Sequence, residues 1–256
     1  MIVEYPLTKS NRIQVAKAFR KVPRVDISIE CVTEGQMGKC FVDDLIEPTA
    51  FEIRLGPFHY FAGNASGPGG QELLKSLTPY NLFMPSGDGW LAAGRNMYGD
   101  RLVNFDRYSF SSEKLSLRHL QELCQGREGV PDVKQMDSAL VAQFQGQEHF
   151  IDISDFDSPD DFSERGIGYY MEDEGEVIGA AYSSLVSSKA IEVSVYVLEA
   201  YRRKGIATIL AAHLLLWCLQ NSMDAHWDAA NPESCKLALK LGYVPTGDYQ
   251  ANYLES

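Results

Sequence analysis

The chain has 256 residues, of which 45% are hydrophobic and 23% charged, with a formal net charge of -12 at pH 7. This is an ordinary composition for a soluble globular protein, with enough chain for one large domain or two small ones. The negative balance argues against a nucleic-acid partner, which needs concentrated Lys and Arg, and favours a cationic small molecule.

Taken in order, Asn11 to Lys21 is predicted as a first helix, with Ile13, Ala16, Ala18 and Phe19 near helical spacing and Pro23 ending it. Cys31 to Asp43 reads as extended and Gly-interrupted, and Ala50 to Leu55 and Phe58 to Ala62 as two strands around Gly56-Pro57. Gly63 to Gly70 is a loop. Its Gly-rich part has no cation nearby and reads as a lead-in to a short helix over Gln71 to Leu77, not as a phosphate loop. A strand over Tyr80 to Met84, a helix over Gly89 to Met97 begun by Asp88, and a strand over Leu102 to Phe110 complete an alternating unit of α/β type.

Ser111 to Glu113 and Gln125 to Pro131 are the polar, Gly-rich stretches where a boundary disturbs least, and the boundary is placed near residue 112, giving domains 1–112 and 113–256. Beyond it, Leu115 to Leu120 reads as a strand and Val133 to Phe144 as a helix opened by Asp132. From Glu148 to Glu176 acids dominate, with Arg165 the single cation; such a run reads as a solvated loop and helix face.

Ile167 to Met171 and Val177 to Ser184 are strands joined by the acidic turn Asp173 to Gly175. Ala190 to Val197 is a third, alternating Ile191, Val193, Val195 and Val197 with Glu192, Ser194 and Tyr196. Gly205 to Asn221 is a long helix whose apolar residues nearly encircle it, the pattern of a helix buried on more than one side. Ala225 to Asp228 is a short strand, Pro232 to Leu241 a helix with Asn231 as N-cap and Gly242 at its end, and Tyr243 to Leu254 closes the sheet.

Two further classes fall away. The longest apolar run, Ile209 to Leu219, is interrupted by His213 and reaches about half the ~20 residues that cross a bilayer. The first residues, MIVEYPLTKSNR, lack a basic start, an apolar core and a cleavage site, so the expectation is a cytoplasmic protein with no membrane partner. The five cysteines form no Cys-x-x-Cys pair and no histidines cluster, so neither a disulfide framework nor a metal site is expected.

The chemistry concentrates between Ala190 and Leu210, where strand, tight loop and helix follow one another. A loop that opens a helix presents backbone N–H groups without intrahelical partners, and the peptide dipoles add partial positive charge. Arg202, Arg203 and Lys204 add cations, while Gly205 and Ala207 let an anion approach the backbone. A diphosphate fits such a turn. The spacing is neither that of a Walker loop nor that of a dinucleotide-binding turn.

The turn resembles the acetyl-coenzyme A signature of the GNAT N-acetyltransferase superfamily, Gln/Arg-x-x-Gly-x-Gly/Ala, matched by Arg202, Gly205 and Ala207. Asn231, Ser234 and Lys240-Leu-Gly-Tyr243 resemble that superfamily's Asn-x-x-Ser/Ala…Lys-x-Gly-Phe/Tyr helix. Tyr201 to Thr208, Cys218-Leu219 and Trp227 to Asn231 are further similar to the branch that contains the zwittermicin A resistance acetyltransferase. The resemblance implies a mixed, mostly antiparallel central sheet flanked by helices, an α/β (α+β) fold with an extra N-terminal α/β domain whose element order resembles a degenerate GNAT half. It also implies acetyl-coenzyme A (acetyl-CoA) as cosubstrate, with no metal. The diphosphate would lie on the amides of Arg203 to Thr208, that is Arg203, Lys204, Gly205, Ile206, Ala207 and Thr208, and the pantetheine arm along Tyr196, Val197 and Leu198. Arg202, Asn231 and Ser234 would complete the site.

Acetyl transfer to an amine needs the amine neutral, the carbonyl polarised and a proton for the thiolate. Glu192 is the carboxylate expected as base, although many relatives carry theirs one position earlier, where this chain has Ile191; Asp228 is a second candidate. The Val197 N–H is expected to polarise the carbonyl. Many relatives place a tyrosine seven residues after the motif Asn, where Ala238 stands; Tyr243, Tyr249 and Tyr253 are nearby but do not match. The expected partner is a small-molecule amine, including amino-polyol antibiotics if the narrower resemblance holds, and a homodimer is left open. A non-catalytic acyl-CoA sensor is the alternative, favoured by Ala238; a nucleotide-phosphate binder is a third.

Overall fold

A computed structural model describes residues 1–20, 27–125, 129–144 and 150–256. Lys21, Pro23, residues 126–128 of the expected boundary stretch and Glu148 lie outside the described residues. The chain forms two compact units, residues 1–106 with 250–256, and residues 107–249.

In the first unit, β1 (Val3–Glu4) precedes α1 (Lys9–Phe19), whose N-terminus is capped by the Thr8 hydroxyl accepting the Asn11 N–H. α2 (Ile27–Glu34) stands where an extended segment was expected from residue 31. Burial of Ile27, Ile29, Cys31 and Val32 decides the conformation against the weak helix propensity of its β-branched residues. There follow β2 (Lys39–Val42), β3 (Ala50–Leu55), β4 (Phe58–Gly63), α3 (Pro68–Leu74), β5 (Leu82–Pro85), α4 (Asp88–Tyr98) and β6 (Leu102–Ser111). α3 starts earlier than Gln71 because Pro68 suits the first helical turn. β5 starts after Tyr80, whose φ is 70°. β1 to β4 pair antiparallel, β5 joins β4 in parallel, and residues 252–253 of the last strand lie antiparallel on β5. Within the sheet Glu52 is fully buried, yet its carboxylate receives the guanidinium of Arg54 at 2.8 Å, His59 Nδ1 at 2.7 Å and the Ser76 hydroxyl at 2.7 Å.

The second unit begins with the end of β6 and continues through α5 (Leu117–Cys124), β7 (Lys134–Gln135), α6 (Ser138–Gln143), α7 (Pro159–Arg165), β8 (Gly168–Asp173), β9 (Glu176–Val186), β10 (Ala190–Val197), α8 (Ile206–Gln220), β11 (Asp224–Ala229), α9 (Pro232–Leu241) and β12 (Val244–Leu254). Two expectations are corrected. Leu115 to Leu120 is not a strand: Ser116 caps α5, and Leu120 is buried where α5 packs on α8. Val133 to Phe144 is not one helix opened by Asp132, because Lys134 and Gln135 pair with β8 and Asp137 caps the shorter α6. In the acidic stretch, Ser158 caps α7, with Asp160 and Asp161 in its first turn and Arg165 closing back on Asp161 at 2.6 Å.

β7 to β10 are antiparallel in sequence order, β11 runs parallel to β10, and residues 108–110 of β6 lie antiparallel on β11. This is the mixed, mostly antiparallel sheet that was expected. α8 touches β8, β9, β10 and β11 as well as α5 and α9, which explains its nearly continuous apolar surface: Leu210, Leu214, Leu215 and Cys218 are fully buried. Among the described residues no helix is long and apolar enough to cross a membrane. The same element order, three antiparallel strands, helix, parallel strand, helix, occurs in β2 to α4 and again in β8 to α9.

Candidate active site

The site is made by a pair of strands that separate. β10 and β11 pair in parallel only through Ala190, Ile191 and Glu192, opposite Asp224, Ala225 and His226; from Trp227 onward β11 pairs with β6. The rest of β10, up to Val197, therefore faces a gap. A one-residue slip between β9 and β10 falls at Glu192 and Val193, leaving Ser184 as the extra residue, and such a bulge bends the strand at the point of separation. The Leu198 N–H donates to Ile178 O at 2.9 Å. Since N–H groups alternate sides along an antiparallel strand, that of Val197 is turned away from β9 and toward the gap. Val197 O, on the same side, accepts from Arg202 Nε at 3.1 Å.

A cavity of about 790 Å³ fills the gap. Its floor is β10, through Val193, Val195, Tyr196 and Val197; one wall is Tyr201 to Thr208, except for Lys204, and the other is Trp227, Asp228 and α9. α8 begins at the cavity edge. Gly205, at φ 91°, is its left-handed N-cap residue, and Arg203 precedes it at φ 64°, so the chain turns sharply and aims the first amides of α8 outward. No side chain caps this end.

Of the residues expected at the cosubstrate, Tyr196, Val197, Arg202, Arg203, Gly205, Ile206, Ala207, Thr208, Asn231 and Ser234 line the cavity. Leu198 and Lys204 do not: the Leu198 N–H belongs to the sheet, and Lys204 Nζ lies 4.6 Å over the Tyr201 ring. Asn231 caps α9 by accepting the Ser234 N–H at 2.9 Å, and the Ser234 hydroxyl accepts from the Trp227 indole at 3.1 Å.

Glu192 is not a lining residue. Its Oε1 accepts the backbone N–H of Asp228 at 3.2 Å, bridging the two strands just past their last paired residues. Asp228 lines the cavity, and its Oδ2 accepts from Arg107 Nε at 3.2 Å and from the Tyr249 hydroxyl at 2.6 Å; a second guanidinium nitrogen of Arg107 reaches Asp228 O at 3.2 Å. Burial alone would lower the pKa of Arg107, but the charge of Asp228 first, then Tyr249 and Glu192, raise it above the usual arginine value.

Tyr243 is buried, does not line the cavity and commits its hydroxyl proton to Ala225 O at 3.0 Å, so it is not placed to protonate a thiolate there; burial also pushes its pKa well above the ordinary tyrosine value. Tyr253 belongs to the first unit. Ala238 is on the buried face of α9 and offers no proton. Sequence reasoning did not place Val193, Val195, Trp227, Leu237 and Lys240 at the cavity. Strand alternation from Val197 points to the first two, and the three-residue spacing Asn231, Ser234, Leu237, Lys240 marks one face of α9. Arg107 had no local signal.

A basic turn and a helix end without a side-chain cap thus meet at the gap between two parted strands. Comparison with known proteins identifies the family. A profile of the GNAT acetyltransferase family matches residues 17–252, and the chain belongs to that family. It is similar to YdfB of Bacillus subtilis (strain 168), an uncharacterized N-acetyltransferase, with 24% identity over 227 residues, 84% of this chain and 85% of that protein. A GCN5-related N-acetyltransferase-like protein from Streptococcus suis 89/1591 superposes with a TM-score of 0.85 and 30% identity, covering 95% of this chain and 98% of the other. A GNAT-family acetyltransferase from Colwellia psychrerythraea shares the fold, with a TM-score of 0.55, 11% identity and full coverage of both chains. The chain is thus a GNAT N-acetyltransferase, of a family that takes its acetyl group from acetyl-CoA.

Proposed function

We propose that the protein transfers acetyl from acetyl-CoA to the primary amine of a small molecule by direct attack on the thioester. The observation that carries this reading is the uncapped N-terminus of α8, preceded by Arg202 and Arg203, opening onto the gap between β10 and β11. Arg203, Gly205, Ile206, Ala207 and Thr208 would hold the diphosphate, with Lys204 adding charge from the surface. Arg202, Tyr196, Val197, Leu198, Asn231 and Ser234 would border the rest of the cosubstrate.

The Val197 N–H, turned to the gap, would donate to the thioester oxygen. Glu192, which does not itself line the cavity, would take through a bridging water the proton that an alkylammonium must lose before its nitrogen can attack, since such an amine is almost fully protonated at neutral pH. The acceptor class includes amino-polyol antibiotics, following the resemblance to the zwittermicin A resistance branch, and the net charge of -12 favours a cationic acceptor.

The expected domain 1–112, of which residues 1–106 lie in the first compact unit, is read as a degenerate copy without a cosubstrate site of its own, and 113–256, of which residues up to 249 lie with Arg107 in the second unit, as the acetyltransferase domain. Two features support this: β4 and β5 stay paired from Phe58 to Phe61, leaving little of a gap, and residues 63–70, the loop before α3 and its first turn, contain no cation.

Calorimetric titration with acetyl-CoA, followed by an amine panel assayed for release of free thiol, tests the reading. Binding with turnover of at least one amine supports it. Binding without turnover on any amine points to the acyl-CoA sensor, and no binding overturns both.

A further inference from the structure

Arg107 comes from β6, far in sequence from every residue expected at the site, and Tyr249 from β12; both converge on Asp228. The side chains of Arg107 and Asp228 are nearly closed to solvent, 12% and 9% exposed. Arg107 grips Asp228 at two points on opposite sides of its Cα, the carboxylate and the main-chain carbonyl, and Tyr249 holds the same carboxylate oxygen. Holding a residue by its side chain and by its carbonyl fixes the orientation of its Cα, and the N–H carried on that Cα, in the preceding peptide, is the one that meets Glu192 Oε1.

We infer that Arg107 and Tyr249 are positioning residues for the transfer reaction: by clamping Asp228 they keep its N–H against Glu192 and so fix the Glu192 carboxylate where β10 and β11 part. This rests on the proposed role of Glu192 as base. A glutamate has three rotatable bonds, and a carboxylate free to swing would be misplaced for proton transfer most of the time. The clamp also puts one guanidinium beside two carboxylates. Among the described residues, the ionisable groups around Glu192 include Arg107 from β6, His226 and Asp228 from β11, Tyr243 from the turn between α9 and β12, and Tyr249 from β12, while β9 presents Leu185 in register.

The test is a double-mutant cycle. Arg107→Met and Tyr249→Phe should each lower kcat on the order of tenfold, with the acetyl-CoA Kd changed less than about twofold, and Arg107→Lys should recover part of the loss. In a Glu192→Gln background the same changes should lower kcat by less than about twofold, because the group they position has lost its function. In the free protein, carbon-13 NMR titration of labelled glutamate, with the Glu192 signal assigned by its absence in Glu192→Gln, should show that carboxyl titrating at higher pH in Arg107→Met. The sign follows from removing a cation that favours the charged form. Full additivity in the cycle, or an unmoved Glu192 titration, overturns the inference. If Glu192→Gln alone leaves kcat intact, it is the base assignment that fails, and the two failures are distinguishable.

Discussion

The Glu192 carboxylate accepts the backbone N–H of Asp228 at 3.2 Å, one strand to the next, at the point where their pairing stops. In a continuous parallel ladder that N–H would meet a carbonyl of β10. Here a side chain takes the carbonyl's place, so the strands can part without leaving a buried donor unsatisfied. Glu192 thereby has a structural task, whatever it does in the reaction.

The two tasks separate chemically. Glu192→Gln retains an amide oxygen that can accept the Asp228 N–H but cannot take a proton at neutral pH. The melting temperature should change by no more than a few degrees and acetyl-CoA should bind as before, while kcat falls by about 10²- to 10⁴-fold, the contribution of a general base. Glu192→Leu should lose stability as well, by about 1–3 kcal/mol for the buried donor left unmet. A Gln variant with normal turnover would leave Glu192 with the structural task alone.

The anion site can be reversed without unfolding the helix. Asp tolerates the left-handed conformation of position 205 better than most residues, so Gly205→Asp should cost about 1–2 kcal/mol of stability. Its negative charge would stand at the helix end proposed for the diphosphate. Calorimetry should show acetyl-CoA binding weakened at least about tenfold, and Arg203→Glu should do the same by replacing a cation with an anion. Unchanged binding in both would move the cosubstrate away from this turn.

The parts of the site legible in the sequence are local in the chain. The turn from Arg202 to Thr208 and the caps Asn231 and Gly242 are set by spacing over a few residues, and the structure has Asn231 and Gly242 at the ends of α9. Arg107 reaches Asp228 across 121 residues of chain, and no periodicity carries that pairing. α2 and α5 were misread or missed because short, apolar segments suit helix and strand alike, and contact with the sheet or with α8 decides. Lys204 was expected at the cosubstrate through its backbone amide and its charge; its ammonium lies over the ring of Tyr201, a contact that no local spacing signals.

Thiol chemistry offers a check on packing that needs no ligand. Burial pushes the Cys40 and Cys218 thiols up to about 12, with the nearby carboxylates of Glu52 and Asp224 adding to the shift, and Cys124 up to about 11. Since the thiolate is the reactive form, an aromatic disulfide reagent at pH 8 should leave Cys40 and Cys218 unmodified in the native protein and label them only on unfolding. Cys235, half-buried on α9, should react first. Rapid native labelling of Cys218 would show that α8 is not packed as described.

The buried carboxylate of the first unit makes stability depend on pH in a defined direction. Burial alone would raise the Glu52 carboxyl, but the bonds from His59, Arg54 and Ser76, with the Arg54 charge, outweigh it and hold the group below the usual carboxylate range. A group whose pKa is depressed by folding stabilises the native state fully above its unfolded value, near 4.3 for glutamate, and that stabilisation disappears as pH falls through the folded value. Glu52→Gln keeps the shape but leaves the Arg54 charge and His59 without their anion, a change of about 3–5 kcal/mol when one member of a buried pair is removed. The difference in unfolding free energy between wild type and Glu52→Gln should therefore be largest at neutral pH and shrink below pH ~4, where the unfolded chain takes up a proton at Glu52 before the folded protein does. Denaturant titrations at pH 7, 5 and ~3.5 read this directly. A penalty that stayed constant down to the acid end would mean that lost packing, and not the anion, is what the substitution removes.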